Sequence, residues 1–228
     1  MKVAMTTTLQ LGLALTSALA AAPQAQTLDL ATGHWVDLTH TFTRDAIYWL
    51  TAKEFEHETV FEGSTEKGFY YTAYNFAAAE HGGSHIDAPV HFAEGHRTVG
   101  QLPAGCIVLL NTGSSHLWPD KQKYMGTELR GAEAVAELHF PGLDPAAARW
   151  LVENRTIKAI GLDTPSIDYG QSTLFESHQI LFAADIPALE NVANLDVLPP
   201  TGAVLVAQPM KIAGGSGGPT RITAFIPV

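Results

Sequence analysis

A chain of 228 residues that is 46% hydrophobic and only 16% charged has enough apolar material for one packed core and too little for two independent ones. Its formal charge of −10, with 13 basic residues scattered along the chain, lacks the footprint needed to hold a phosphate backbone, which excludes nucleic acid as a partner. A single cysteine, Cys106, excludes an internal disulfide, and its place in the run CIVLL predicts a buried small hydrophobe.

In chain order, Lys2 precedes an apolar run over residues 9–20 that ends in Ala18-Leu19-Ala20, with small residues where a signal peptidase reads. The run is shorter than the roughly 20 apolar residues that span a bilayer, so a secretory signal is expected rather than an anchor. Residues 1–26 are therefore set apart from the fold, with cleavage expected between 20 and 26. This implies export, a periplasmic location and no membrane attachment after cleavage. Residues 27–228 form one domain, since no repeat, charge block or low-complexity linker divides them.

Short runs rich in β-branched and aromatic residues, bounded by Gly, Pro, Asn or Asp, predict strands in HWVDLTHTF, GFYYTAYNFA, SHIDAPVHF, CIVLLNTG, IKAIGLDT, AVLVAQPMKI and RITAFIPV. Helical signals are fewer. Asp144 as N-cap and Pro145 at the first helical position open DPAAARWLVENR, and a second short helix is expected to include Pro187, Ala188, Leu189 and Glu190. The pattern predicts an α/β domain with helices outside a curved, mixed sheet.

The densest chemical signal is HGGSHIDAPVHF, residues 81–92, which holds three of the ten histidines. In a helix, Asp87 would point away from His81 and His85, and Gly82, Gly83 and Pro89 oppose a helix. In an extended chain the period is two, so His81, His85, Asp87 and His91 share one side. Two imidazoles and a carboxylate aimed at one point form a first shell for a divalent cation such as Zn²⁺ or Mn²⁺, with positions left open. Such a cation would lower the pKa of water towards 7 and polarise a carbonyl, and His91 could move the proton. The isolated His57, His96, His116 and His139 are expected to be individually hydrogen-bonded or solvated.

Three rival readings use other features. Gly214-Gly215-Ser216-Gly217-Gly218 satisfies G-x-S-x-G, but only ten residues follow, none of them His, Asp or Glu, so a serine nucleophile lacks its partners and the segment reads as a turn-rich loop. His85-Ile86-Asp87 with distant His178 matches the two-histidine, one-carboxylate triad of non-haem Fe(II) oxygenases. That reading leaves His81 and His91 unused, and the next arginine after His178 is Arg221. A non-catalytic periplasmic metal-binding protein is the third possibility.

The pattern His81-x-Gly83-Ser84-His85-x-Asp87-x-Pro89-x-His91-Phe92 resembles the signature of the metal-dependent cyclase family, which includes bacterial kynurenine formamidases and isatin hydrolases. Ser84 stands where the family usually has Thr. VDLTHTF, GLDTPSIDYG, SHQILFAADIPALENV and an Ala-x-Pro-Met segment extend the likeness over most of the mature chain. The resemblance implies a swivelling β/β/α fold with a barrel-like β core, and metal ligands at His81, His85 and Asp87. It gives His91 the proton-transfer role and adds His178 and Glu190 as holders of a second metal, so one or two ions are expected. It implies hydrolysis of a small aromatic amide or lactam, either N-formylkynurenine or isatin, with Phe42 and Trp49 beside the ring. It also implies a homo-oligomer.

Overall fold

The computed structural model describes residues 28–101 and 105–227; the expected signal lies outside them. Nine strands and three α-helices are described. The strands are β1 (His34–Asp37), β2 (Glu56–Ser64), β3 (Tyr70–Ala77), β4 (His85–Asp87), β5 (Ile107–Leu110), β6 (Ala159–Leu162), β7 (Ala188–Glu190), β8 (Val204–Pro209) and β9 (Gly217–Ile226). The helices are α1 (Lys121–Met125), α2 (Pro145–Asn154) and α3 (Glu176–Ala183).

Seven strands form one curled, mixed sheet in the order β1-β9-β4-β7-β6-β5, with β8 also paired to β9; β2 and β3 form a separate hairpin. The β5-β6 and β6-β7 pairs are parallel, whereas β4 is antiparallel to both β7 and β9. This is the curved, mixed α/β architecture anticipated from the strand pattern, with the half-barrel form that the family resemblance implies, and α2 begins as expected, with the Asp144 side chain accepting from Ala146 N and Pro145 opening the helix.

Three expectations fail. Pro187, Ala188, Leu189 and Glu190 are not helical: residues 188–190 form β7, buried between β4 and β6, where three residues are too few to show a helical period and tertiary pairing decides. The segment around His91 is not one continuous strand, because β4 ends at Asp87 and Pro89–His91 is a 3₁₀ turn with Pro at its start. Cys106 is exposed, since it precedes β5, which has a partner on one side only.

The strands divide the core. Ile86 and Leu189, facing partners in β4 and β7, join Leu38, Val192 and Ile222 in one apolar cluster. On the opposite side, Ile160, Leu162 and Ala188 pack against Leu181 and Phe182 of α3 and Ala148 of α2. Leu181 and Phe182 are fully buried, each contributing on the order of 1.5–3 kcal/mol, and they fix the height at which α3 crosses the sheet. A third cluster, around Ile47, Leu50, Tyr124 and Leu138, supports the loop that precedes the hairpin.

The Ser84 hydroxyl explains why a β-hydroxy residue suits this position. Fully buried, it donates to Asn191 O at 2.7 Å and accepts from His40 N at 2.8 Å, joining three separate segments. His40 itself stacks on Trp118, with ring centroids 4.1 Å apart, and its Nε2 has no hydrogen-bond partner among the described residues. Burial lowers its pKa from 6.5 to about 4, against a smaller raising effect of Asp163.

Between pH 6.5 and 4 the unfolded chain therefore binds a proton at His40 that the folded chain refuses, so stability falls as pH falls through this window and levels off below it. Thermal midpoints measured across the window should drop more steeply in the wild type than in His40→Asn; parallel curves would contradict this role for His40.

Candidate metal centre and pocket

Three residues of β4 and three of β7 set the geometry. His85 lies directly opposite Glu190 and Asp87 opposite Ala188, so alternation puts His85, Asp87 and Glu190 on one face and Ile86 and Leu189 on the other. His81 approaches from the loop before β4 and His178 from the first turn of α3, which the buried Leu181 and Phe182 hold against the sheet.

The two glycines after His81 serve different needs. A Cβ on Gly82 would lie 1.9 Å from the Tyr48 ring, so only glycine permits that approach, while Gly83 takes a left-handed conformation with φ of 57°. The ring of Phe42 packs over Gly83.

Four side chains converge on Asp87 and its neighbourhood. His81 Nδ1 lies 2.7 Å and His85 Nε2 3.1 Å from Asp87 Oδ1, while His178 Nε2 lies 3.3 Å from Asp87 Oδ2. Glu190 Oε1 lies 3.3 Å from His178 Nε2, and its Oε2 lies 3.5 Å from His85 Nε2. Potential ligand atoms fall into two groups, His81-His85-Asp87 and Asp87-His178-Glu190, which share Asp87. All five residues predicted as ligands thus meet in one place. His91 stands beside them, its ring stacked on His81 with centroids 3.9 Å apart, and belongs to neither group.

The outward nitrogens are already committed. His85 Nδ1 donates to Gly83 O at 2.9 Å, a carbonyl that also accepts from Asn191 Nδ2. His178 Nδ1 donates to Asp168 Oδ2 at 2.6 Å; the same carboxylate accepts from Ser177 N and His178 N, so it both closes the first turn of α3 and fixes the ring. A neutral ring so tied turns a lone pair towards the Asp87 and Glu190 oxygens. Lone pairs facing carboxylates require positive charge between them, supplied by protons or by a cation, and the nitrogen and oxygen donors present suit a divalent ion.

The electrostatics agree. Burial alone would raise Asp87, but His85, His178 and His81 together hold its carboxyl well below the usual range. Burial would likewise lower His85, yet Asp87 and Glu190 hold it up at about 9, and His178 is raised well above its ordinary value by Asp168, Asp87 and Glu190 despite burial. Burial and the neighbouring Asp87 raise Glu190. His91 moves the other way: burial, reinforced by the nearby histidines and opposed by Asp87, lowers it to about 4.

The cluster forms the floor of a cavity of about 300 Å³ whose walls include Ile47, Trp49, Phe92, Pro165 and Phe175. Trp49 lines the cavity, whereas Phe42 does not and instead packs behind Gly83 and against Phe55. No Lys or Arg lines it among the described residues. Sequence reasoning missed Asp168, Asn191, Phe92 and Phe175; a search for a carboxylate able to orient His178 would have pointed to Asp168 in GLDTPSIDYG, ten residues upstream.

The family model described as "Putative cyclase" matches residues 36–104 and 96–169. A kynurenine formamidase of Bordetella avium is 31% identical over 158 residues, covering 62% of this chain and 74% of that protein. An isatin hydrolase of Roseibium aggregatum is 30% identical over 132 residues, covering 56% of this chain and 48% of that one. Among solved structures, isatin hydrolase A from Ralstonia solanacearum superposes with a TM-score of 0.72 at 26% identity, covering 85% of this chain and 92% of that one. With a family model spanning more than half of its residues and a clustered centre built on the motif, this chain belongs to the cyclase family.

Proposed function

We propose that this protein is a metal-dependent hydrolase of aryl-attached amides that opens a neutral, ring-fused lactam of the isatin type in preference to an open-chain formamide of the N-formylkynurenine type. The observation that carries this reading is a histidine-carboxylate cluster at the floor of an aromatic cavity that no Lys or Arg lines among the described residues. At about 300 Å³ the cavity sits at the small end of the ~300–1,000 Å³ range of ligand pockets, and Trp49, Phe92 and Phe175 offer faces and edges to a flat ring. The amino-acid tail of N-formylkynurenine carries a carboxylate that would want a cationic partner, and burying it unpaired is costly.

In this reading His81, His85, Asp87, His178 and Glu190 hold the divalent cation, Zn²⁺ or Mn²⁺, as one ion or as two sharing Asp87. Bound there, the cation would polarise the amide carbonyl and make water acidic enough to attack near neutral pH. His91, kept neutral by burial, takes the proton of the attacking water and returns it to the leaving nitrogen. The aromatic walls hold the ring in place. The oxygenase alternative loses support because Arg221, the next arginine after His178, pairs with Asp37 at 2.8 Å.

The same proposal includes export by the N-terminal segment and self-association through the hairpin. Phe61, Phe69, Tyr70, Tyr71, Tyr74 and Phe76 are 39–65% exposed on a ribbon outside the main sheet, with Tyr70, Tyr74 and Phe76 at alternate positions of β3 on one face and Tyr71 on the other. At ~200 Å² per aromatic side chain, the face shared by Tyr70, Tyr74 and Phe76 uncovers on the order of 300 Å² of aromatic surface, a centre around which a partner's ~800 Å² share of a standard interface can form. A second copy of the chain is the occupant proposed.

Metal-loaded protein should hydrolyse isatin with a higher kcat/KM than N-formylkynurenine, followed by absorbance, and lose activity on chelation; the opposite preference overturns the substrate choice, and full activity without metal overturns the class. His91→Ala should keep the metal content per chain while kcat falls by roughly 10²–10⁴. In sedimentation experiments the wild type should run as a dimer or larger assembly, and Tyr70→Ser with Phe76→Ser should shift it to monomer; a monomeric wild type removes the hairpin interface.

A further inference from the structure

The glycine-rich stretch at 214–218 has no part in the chemistry above, yet it lies directly behind His81. Ser216 Oγ is 3.0 Å from His81 Nε2 and 2.7 Å from Glu80 Oε2. The same Glu80 oxygen accepts from Ser216 N at 2.9 Å and from Gly217 N at 3.2 Å. A Cβ on Gly217 would fall 2.6 Å from His81 Cε1, so only glycine lets the stretch approach the ring this closely. Two further backbone bonds hold the stretch to the motif side: Ala88 N donates to Ser216 O and Val99 N to Gly215 O.

The hydrogen count fixes the direction of these bonds. A carboxylate oxygen only accepts, so the single hydroxyl proton of Ser216 goes to Glu80. Ser216 Oγ is then an acceptor towards His81, and His81 Nε2 must carry the proton it receives. With a cation bound, the lone pair of His81 is thereby left on Nδ1, the atom 2.7 Å from Asp87 Oδ1; without one, Nδ1 carries a second ring proton and donates it to that carboxylate. His85 and His178 obtain the same result from Gly83 O and Asp168; His81 alone uses a relay of two side chains.

We propose that Ser216 and Glu80 are positioning residues that fix the tautomer and ring plane of His81 for cation binding, an inference that rests on the metal-dependent reading above. Ser216 is not a nucleophile: it does not line the cavity, and its hydroxyl is engaged on both sides. The G-x-S-x-G pattern thus describes a brace.

The test measures Zn²⁺ affinity by chelator competition and the visible absorption of Co²⁺-loaded protein. Ser216→Ala and Glu80→Ala should each weaken affinity about 10- to 100-fold and alter the Co²⁺ bands, and the double variant should lose no more than either single one, because both act through one ring. Glu80→Gln should recover most of the affinity, since its amide oxygen can accept the same three bonds. Wild-type affinity and an unchanged Co²⁺ spectrum in a folded Ser216→Ala protein would overturn the inference while leaving the metal centre standing. No cation binding by the wild type would overturn both. Should the variants fail to fold, ¹⁵N NMR of histidine-labelled wild type loaded with Zn²⁺ decides: the expected result is a proton on His81 Nε2, and a proton on Nδ1 overturns the assignment.

Discussion

A carboxylate buried among three imidazoles organises this molecule. Asp87 is 2% exposed, and a charge so removed from water must be paired with positive partners or be neutralised. Glu190, also buried, adds a second carboxylate across the β4-β7 pair, so the centre needs positive charge from more than one direction. The imidazoles at 81, 85 and 178 provide those directions, and each is held from behind: by a serine-glutamate pair, by a backbone carbonyl, and by Asp168. Burial of α3 against the sheet, the glycines beside His81 and the hydroxyl of Ser84 all serve to keep these groups where they can share one centre.

How much of this was legible in the sequence depends on how local the cause is. The motif could be read because its residues sit within eleven positions of one another and residue types with strong backbone preferences separate them. Even there the extended period applied only to His85–Asp87, after which Pro89 turned the chain and carried His91 to the centre on a 3₁₀ turn. The strand β2 escaped notice because EHETVFEGS is polar and exposed along its length, without the alternation that a half-buried strand shows. The helix α3 escaped because Phe175, in a left-handed conformation and without a side-chain cap bond, precedes it in place of the usual Ser, Thr, Asp or Asn.

The long-range partners were less accessible still. His178 and Glu190 could be named as a pair only through resemblance, since nothing in their twelve-residue spacing announces a shared centre. The bonds from Ser216 to Glu80 and His81 span about 135 positions, and the serine's neighbours resemble a flexible linker in composition. Pairing of β9 with β4, which sets Gly217 opposite Asp87, turns that flexible composition into a fitted surface.

That pairing has a consequence for biogenesis. The middle strand of the centre is three residues long and takes its two flanks from segments roughly 100 and 130 positions downstream. A slip of one residue on either side would turn the coordinating face towards the apolar cluster. Cation retention would then act as an inspection of strand alignment, because a chain that closed its sheet out of register would leave the ion without a seat.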